Sequence, residues 1–409
     1  MNMPLIVQKF GGTTVGSVER ILKVAERIVE AKNKGKDVVV VVSAMGKSTN
    51  SLVDMAQQLS QDPPGREMDM LLASGEQVSI SLLAMALVSK GYPAVSLTGW
   101  QAGIMTDSVH NKARIVHIHS NKILNLVNKG TIVIVAGFQG ITEDGEVTTL
   151  GRGGSDTTAV ALAASIKADL CEIYTDVSGV FSADPRVVPT AKKLVRISLD
   201  EMMELATLGA GVLHPRAVEC AKKYNVRLMV RSSFIDEEGT FIEGDVDMEE
   251  KLVCGVTHKG NIVKITIKQF GALSSLFTIL VKSHIDVDII MQCLDEFSLT
   301  DLSFTVSIED LGRTLKLLES NKTTLAFEEL NTEVGLAKVS IVGAGLVSNP
   351  EATARMFTAL ASEHVPIKMV SNSEMKVSCI IPEDMTEIAV RTLHSVFGFD
   401  VLQMADVYH

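Results

Sequence analysis

The segment from Thr148 to Ala164 reads TTLGRGGSDTTAVALAA: one cation, Arg152, and one anion, Asp156, stand four residues apart in a glycine-rich loop that runs into an apolar helix. A strand ending in VTTL, then a turn, then a helix sets unpaired backbone N–H groups and the positive helix end at a strand terminus, which suits an anion. Arg152 adds a bidentate grip for a carboxylate or a phosphate. If Ser155 or Asp156 only capped the helix and the glycines only served the turn, the arginine would be surplus. A cation and an anion so close suit a zwitterion better than a nucleotide.

Three further stretches carry candidate chemistry. KFGGTT (Lys9 to Thr14) follows the apolar run LIVQ and precedes a helical period, so Gly11 and Gly12 would let backbone amides approach phosphates while Lys9 offers a point charge. YTDVSGVFSADPRVV (Tyr174 to Val188) is a polar loop after CEIY, with Thr175, Asp176, Ser178, Ser182, Asp184 and Arg186 available to a ribose, a base or phosphates. Glu76 sits in MDMLLASGEQVSISLLAMAL, a helix otherwise nearly all apolar, where a carboxylate is costly unless it meets a cation. Plain βα turns, a surface connection and a turn-exposed glutamate are the structural alternatives. Two resemblances mislead. VVVVVSAMGKSTN ends like a P-loop, but Val41 stands where the first glycine is required, and SIVGAGLVS has Ser348 where a dinucleotide fingerprint needs its third glycine. No histidine pair shows the i, i+4 spacing of a zinc protease.

These stretches need elements to position them. Up to about residue 235, β-branched runs alternate with helical periods: LIVQKF, a helix from Val18 to Lys34, DVVVVVSAM, a helix from Met68 to Lys90, AVSLTG, a helix near Ile118 to Lys129, TIVIVAGF, the glycine-rich loop with its helix, LCEIYTDV, helices near Leu199 to Leu208 and His214 to Tyr224, and VRLMVRSS. Strand runs without polar alternation, each followed by a helix, predict a sheet covered on both faces, with ligands at its carboxyl ends. The acidic stretch Ile235 to Lys251, with eight carboxylates, reads as a boundary at about residue 245.

Beyond it the chain repeats itself. SLFTILVKSHIDVDII (Ser275 to Ile290) aligns with RMFTALASEHVPIKMV (Arg355 to Val370), pairing Phe277 with Phe357, Leu280 with Leu360 and His284 with His364. KITI matches KVSI upstream and LSFTVS matches KVSCII downstream, so a βαββα unit occurs twice, the first with a strand-to-helix segment six residues shorter. The predicted divisions are 1–245, 246–332 and 333–409, with strand 252–258 free to pair with the second copy.

Composition narrows the function. The chain has 409 residues, 38 basic against 49 acidic, and a net charge of -11, without a Lys/Arg block to track a phosphate backbone or an anionic membrane. Nucleic acid and membrane are therefore not expected as partners. The five cysteines are scattered, so neither a disulfide framework nor a structural zinc site is expected, and a reducing cytoplasm fits. The N-terminus does not read as a signal peptide, and the longest β-branched runs are strand-length rather than the roughly 20 residues of a membrane span.

KFGGTT, SAMG (Ser43 to Gly46), REMDMLLASGEQ (Arg66 to Gln77), VAGFQG (Val135 to Gly140), TTLGRGGSDTTA and YTDVSGVFSADPR resemble, in order and spacing, the signatures of bacterial monofunctional aspartokinases. The duplicated unit looks like their paired ACT domains. The resemblance implies an amino-acid-kinase (carbamate-kinase-like) α/β/α sandwich followed by two ferredoxin-like ACT domains, and transfer of the γ-phosphoryl of MgATP to the β-carboxylate of L-aspartate. It implies Lys9, Arg152 and Asp156 as catalytic residues, with Arg152 on the substrate α-carboxylate and Glu76 and Asp156 on its ammonium. Ser43, Ala44, Thr49, Phe138, Gly153, Gly154 and Ser155 would line the aspartate site. Lys9, Phe10, Gly11, Gly12, Ser43, Thr175, Asp176, Phe181, Asp184, Arg186 and Gly211 would face ATP, which carries Mg²⁺ without a protein ligand set and without an organic cofactor. Gly211 departs from relatives that carry a second phosphate-facing lysine there. The ACT pair would bind lysine, threonine or both through Asp286, Val287, Asp288 and Gln292 of the first copy and Ser371 and Asn372 of the second, and would join chains into a homodimer or homotetramer. The shortened loop puts the first copy's effector site in question. A kinase for another acidic amino acid, and a catalytically silent amino-acid sensor, stay open.

Overall fold

The computed structural model describes residues 3–244, 252–268, 273–294, 300–346 and 349–400. They form two compact units: one is Met1–Val180, Lys193–Thr207 and Gly211–Asp247, the other Phe181–Lys192, Leu208–Ala210 and Met248–His409.

The first unit contains β1 (Leu5–Phe10), α1 (Val18–Asn33), β2 (Asp37–Val42), α2 (Ser48–Leu59), α3 (Gly65–Leu72), α4 (Ser74–Ser89), β3 (Ala94–Leu97), β4 (Ile104–Thr106), β5 (Ile115–Ile118), α5 (Asn121–Val127), β6 (Ile132–Ala136), β7 (Gln139–Ile141), β8 (Val147–Thr149), α6 (Gly154–Ile166), β9 (Leu170–Thr175), β10 (Arg196–Ser198), α7 (Leu199–Thr207), α8 (Pro215–Tyr224), β11 (Leu228–Ser232) and β12 (Thr240–Glu243). An eight-stranded sheet runs β10-β12-β11-β9-β1-β2-β6-β3. Its six strands from β11 to β3 are parallel, and only such doubly covered strands stay apolar on both faces. Val38 to Val42 are all buried. α1 shows why one flanking helix forms: Ser17 caps it by accepting from the Arg20 N–H, and Ile21, Val24, Ala25 and Ile28 recur at helical spacing and face the core.

A second sheet, β5-β4-β7-β8, has four strands of three or four residues and carries β8 directly into the glycine-rich loop. Periodicity could not reveal it, because alternation needs more residues than these strands possess. The expected helix from Met68 to Lys90 is instead two helices that meet at Ala73, and α2 was not anticipated. The span Gly65–Ser89 is long and apolar enough by composition to cross a membrane, but half of its most apolar window is buried inside the protein. There Leu83 and Leu87 fill the core of the first unit.

The second unit holds β13 (Gly255–Lys268), α9 (Leu273–Lys282), β14 (Ile290–Leu294), β15 (Thr300–Ser307), α10 (Ile308–Ser320), α11 (Lys322–Leu325), β16 (Glu329–Val342), α12 (Pro350–Ser362), β17 (Met369–Asn372), β18 (Lys376–Pro382) and α13 (Thr386–Val396). This is βαββα twice, in one sheet of order β14-β15-β13-β16-β18-β17. The two copies exchange strands: Gly255 to Lys259 of β13 pair with Val342 to Lys338 of β16, and Lys264 to Lys268 with Glu333 to Glu329. The aligned His284 and His364 both take a left-handed conformation, φ 52° and 55°, closing α9 and α12 in the same way. The boundary near residue 245 and the two strand-to-helix segments of unequal length, through 269–272 and 347–348, lie outside the described residues.

A single cut between domains does not describe the chain, because Phe181–Lys192 packs with the second unit. Ala183 and Val188 enter the core built by Val339, Ile341, Met356 and Leu360. Ser182 Oγ meets His394 Nε2 at 3.0 Å and accepts the Lys192 N–H, while Asp400 Oδ1 meets His394 Nδ1 at 2.9 Å and accepts from the Thr190 hydroxyl. Burial lowers the His394 pKa despite the attraction of Asp400. The neutral ring therefore donates to Asp400 through Nδ1 and accepts from Ser182 at Nε2. A histidine held neutral by folding contributes full stability above its unfolded pKa of 6.5 and loses it as pH falls below that value. Amide exchange across 181–192, corrected for its intrinsic pH dependence, should accelerate as pH falls below 6.5, and His394→Asn should abolish that acceleration.

Candidate active site

The carboxyl ends of β1 and β2, the first turns of α2 and α4, and the loop between β8 and α6 surround a cavity of about 700 Å³. Ser43, Thr49, Glu76, Phe138, Arg152, Gly153, Gly154, Ser155 and Asp156, named above for the amino acid, line it together with Lys9, named above for ATP. Asn50, Val53, Asp54, Leu72, Asn111, Thr149 and Gly151 line it too and were not foreseen. Asn50 and Asp54 come from α2, the helix opened by the GKSTN segment dismissed as a P-loop. Helical i, i+4 spacing in that segment is the signal that could have found them.

The loop itself is built by close contact. Gly153 precedes α6 with φ 71°, and a Cβ there would stand 2.1 Å from Cγ of His214. No side chain caps α6, so Ser155 and Asp156 are not its caps and its amino end is left for another acceptor. Phe138 holds a left-handed φ of 69°, fixed by the Thr158 hydroxyl on its N–H and by its own carbonyl accepting from Leu150 N–H. Arg216 donates to the Leu150 carbonyl and, at 2.9 Å, to that of Ala113. The LGAGVLHPR segment thus supports the loop through His214 and Arg216. Gly211, φ 67°, is not among the residues lining the cavity.

Lys9 Nζ sits 2.6 Å from Asp156 Oδ1, with both side chains mostly buried. The structure therefore gives Asp156 a protein partner, where the sequence assigned it to a ligand ammonium. Glu76 is different. It is 2% exposed, its Oε1 accepts the Ala44 N–H at 3.1 Å, and its buried Oε2 has no partner. The nearby Gln139 amide donates to the Ala73 carbonyl at 2.8 Å and also favours the charged form of Glu76, against burial. Burial pushes the Glu76 pKa up to about 8.

Several predicted residues fall elsewhere. Ala44 is buried and acts through its N–H on Glu76 rather than on the cavity. Phe10 is fully buried and stacks on Tyr174 at 4.6 Å, so its ring cannot face a nucleotide: β1 is a central strand, and both its faces are covered. Gly12 serves packing, since a Cβ would come within 2.7 Å of the Ala44 carbonyl and its own carbonyl accepts from Gly46 N–H. Gly11 lies beside Lys9 and the end of β9, which brings Thr175 and Asp176 next to β1. Phe181, Asp184 and Arg186 belong to the second unit, where Arg186 folds back onto Asp184 at 2.7 Å.

In the second unit, Gln292 on β14 and Ser371 and Asn372 on β17 occupy opposite edges of the sheet, so one chain does not bring them together. Asp288 is engaged by the buried Lys338 ammonium, Val287 packs on the first copy's core, and Asp286 is exposed.

The amino acid kinase family matches residues 4–232 and the ACT domain matches residues 339–397. Over 400 residues the chain is 58% identical to aspartokinase 2 of Bacillus subtilis (strain 168), spanning 97% of this chain and 98% of that one. The chain belongs to the aspartokinases. Its fold is similar to that of E. coli aspartokinase III in complex with aspartate and ADP, with TM-score 0.82 and 26% identity over 96% of this chain and 99% of that one. The same E. coli enzyme in complex with lysine and aspartate gives TM-score 0.77 at 25% identity, over the same shares. An amino-acid-kinase domain with ACT units, expected from the motifs, is the fold of this aspartokinase.

Because the folded pKa of Glu76 lies above its unfolded value of 4.5, the folded aspartokinase holds an extra proton between pH 4.5 and 8, and this group's contribution to stability falls as pH rises through that window. Glu76→Gln keeps the shape and drops the titration. Thermal unfolding should show the variant gaining stability over the wild type at pH 8.5 and little change at pH 5.

Proposed function

We propose that this aspartokinase transfers the γ-phosphoryl group of ATP to the β-carboxylate of L-aspartate, giving 4-phospho-L-aspartate and ADP. The step opens a route toward lysine, threonine and methionine in the cytoplasm. One observation carries the assignment of roles: Arg152, the unpartnered oxygen of Glu76, and Lys9 converge on one cavity at the carboxyl ends of the central strands. These three groups suit a dicarboxylic amino acid whose α-carboxylate takes Arg152, whose ammonium takes Glu76, and whose β-carboxylate takes Lys9.

The chemistry asks little of the protein beyond placement and charge. An aspartate β-carboxylate is ionised at pH 7, so no general base is required, and catalysis reduces to orienting it in line with the phosphoryl group and neutralising developing charge. Lys9 supplies that charge from the protein. Its move from Asp156 to the phosphoryl oxygens frees Asp156 as a second partner for the substrate ammonium. Thr175 and Asp176 follow Tyr174, which pairs with Phe10 at the carboxyl end of β1, and take the nucleotide in this reading. Among the described residues no group of three His, Cys, Asp or Glu is placed to hold a metal. Mg²⁺ carried by the ATP phosphates would supply further neutralisation.

Regulation follows from the second unit. An amino-acid effector, lysine or threonine, held between Asp286 or Gln292 on one edge and Ser371 or Asn372 on the other needs a second copy of the chain, because a single sheet keeps those edges apart. The reading is thus a homodimer at least, with feedback inhibition lost when either edge is altered.

A coupled ADP-release assay tests the activity: turnover with L-aspartate, and much less with L-glutamate or N-acetylglutamate, is expected. Arg152→Ala should raise the aspartate KM by tenfold or more while the ATP KM holds; an unchanged aspartate KM removes Arg152 from the site. The Glu76 assignment predicts proton release on aspartate binding at pH 7, because an ammonium ion ionises a carboxyl whose pKa stands near 8. Calorimetry in buffers of different ionisation enthalpy reads it directly, and Glu76→Gln should abolish it.

A further inference from the structure

Asp69 is fully buried on α3, one helix before Glu76, and takes no part in the chemistry above. Its carboxylate collects donors from two other parts of the chain. Oδ2 meets His110 Nδ1 at 2.7 Å, Oδ1 accepts the Asn111 N–H at 3.1 Å, and Oδ1 also accepts the Thr149 hydroxyl. Burying a carboxylate costs several kcal/mol unless such donors satisfy it, so its place here asks what it holds.

It holds the base of the glycine-rich loop. Thr149 ends β8 three residues before Arg152. Asn111 lines the cavity in a left-handed conformation, φ 63°, and its carbonyl stands so close to Gly151 that a Cβ there would approach to 2.9 Å. The Ala113 N–H donates to the Thr149 carbonyl at 2.9 Å, closing the ring between the two segments. One carboxylate thus fixes both walls from which the Gly151–Arg152 turn departs, and Arg66 repeats the tether one turn earlier on α3 by binding Glu146 at 2.6 Å.

We infer that Asp69 is a positioning residue for the amino-acid subsite: acting through Thr149 and Asn111, it sets the direction of Arg152 toward the substrate carboxylate. This rests on the aspartate-kinase reading above. Asparagine at 69 matches the shape, yet its amide turns an N–H toward at least one of three converging donors. Valine at 149 removes the hydroxyl without changing volume, and serine keeps it.

The experiment is steady-state kinetics of the full chain with Asp69→Asn, Thr149→Val and Thr149→Ser, together with their melting temperatures. Asp69→Asn and Thr149→Val should each raise the aspartate KM about tenfold while the ATP KM stays within twofold, and Thr149→Ser, which gives the hydroxyl back to Asp69, should recover most of the Thr149→Val loss. If Asp69→Asn does not fold, Thr149→Val against Thr149→Ser decides alone. Unchanged aspartate KM in Thr149→Val, or equal losses for both substrates in step with a lowered melting temperature, overturns the proposal. Absence of turnover in the wild-type chain would instead remove the aspartate-kinase reading.

Discussion

Lys9 and Asp156 meet at 2.6 Å with little water around them, and much of the first unit exists to make that meeting possible. Lys9 arrives on the central strand, locked by parallel neighbours on both sides. Asp156 arrives in the first turn of α6, whose position depends on Gly137 and Gly154 leaving room for Ser155 and Phe138. An ion pair in such a place gains strength from the low local dielectric and loses it to desolvation, so its net contribution to stability is small. Its value lies in preparation. A cation and an anion hold each other in a largely buried position on the cavity wall.

Much of this was legible in the sequence because its physics is local. A βα turn with glycines and a cation is visible wherever it occurs, and KFGG and GRGGSD both end up on the cavity wall or beside it. The parallel strands were legible because five consecutive buried valines admit few other fates. The duplication was legible down to His284 and His364, whose shared left-handed backbone follows from their equal positions after α9 and α12. What escaped depends on tertiary placement. Four strands of three or four residues carry no readable period, and α2 was hidden behind a misleading motif. The ring of Phe10 cannot be assigned to core or ligand until the strand beside it is known.

The second unit shows the same limit on a larger scale. Motif order did not reveal that the segment carrying Phe181, Asp184 and Arg186 packs its apolar residues, Ala183 and Val188, into the core shared by β16, β18, α12 and α13. Two buried side chains and a histidine-centred network hold the segment there. The repeated unit likewise does not fold as two separate beads. β13 and β16 each run fourteen residues and pair along nearly their whole length, so each copy completes its sheet with a strand from the other.

Two buried carboxylates one helix apart show how the fold separates structure from function. Asp69 and Glu76 are both almost completely removed from water. The first is saturated, with donors from a histidine ring, a backbone amide and a hydroxyl, and a satisfied network of this kind specifies one arrangement of the groups around it. The second keeps one oxygen without a partner and carries the penalty as a raised pKa. A chain selected for stability alone would fill that position with an apolar residue or give it a second donor. Leaving it half satisfied, in the wall of a cavity that Arg152 also lines, makes sense when the missing donor comes with the ligand.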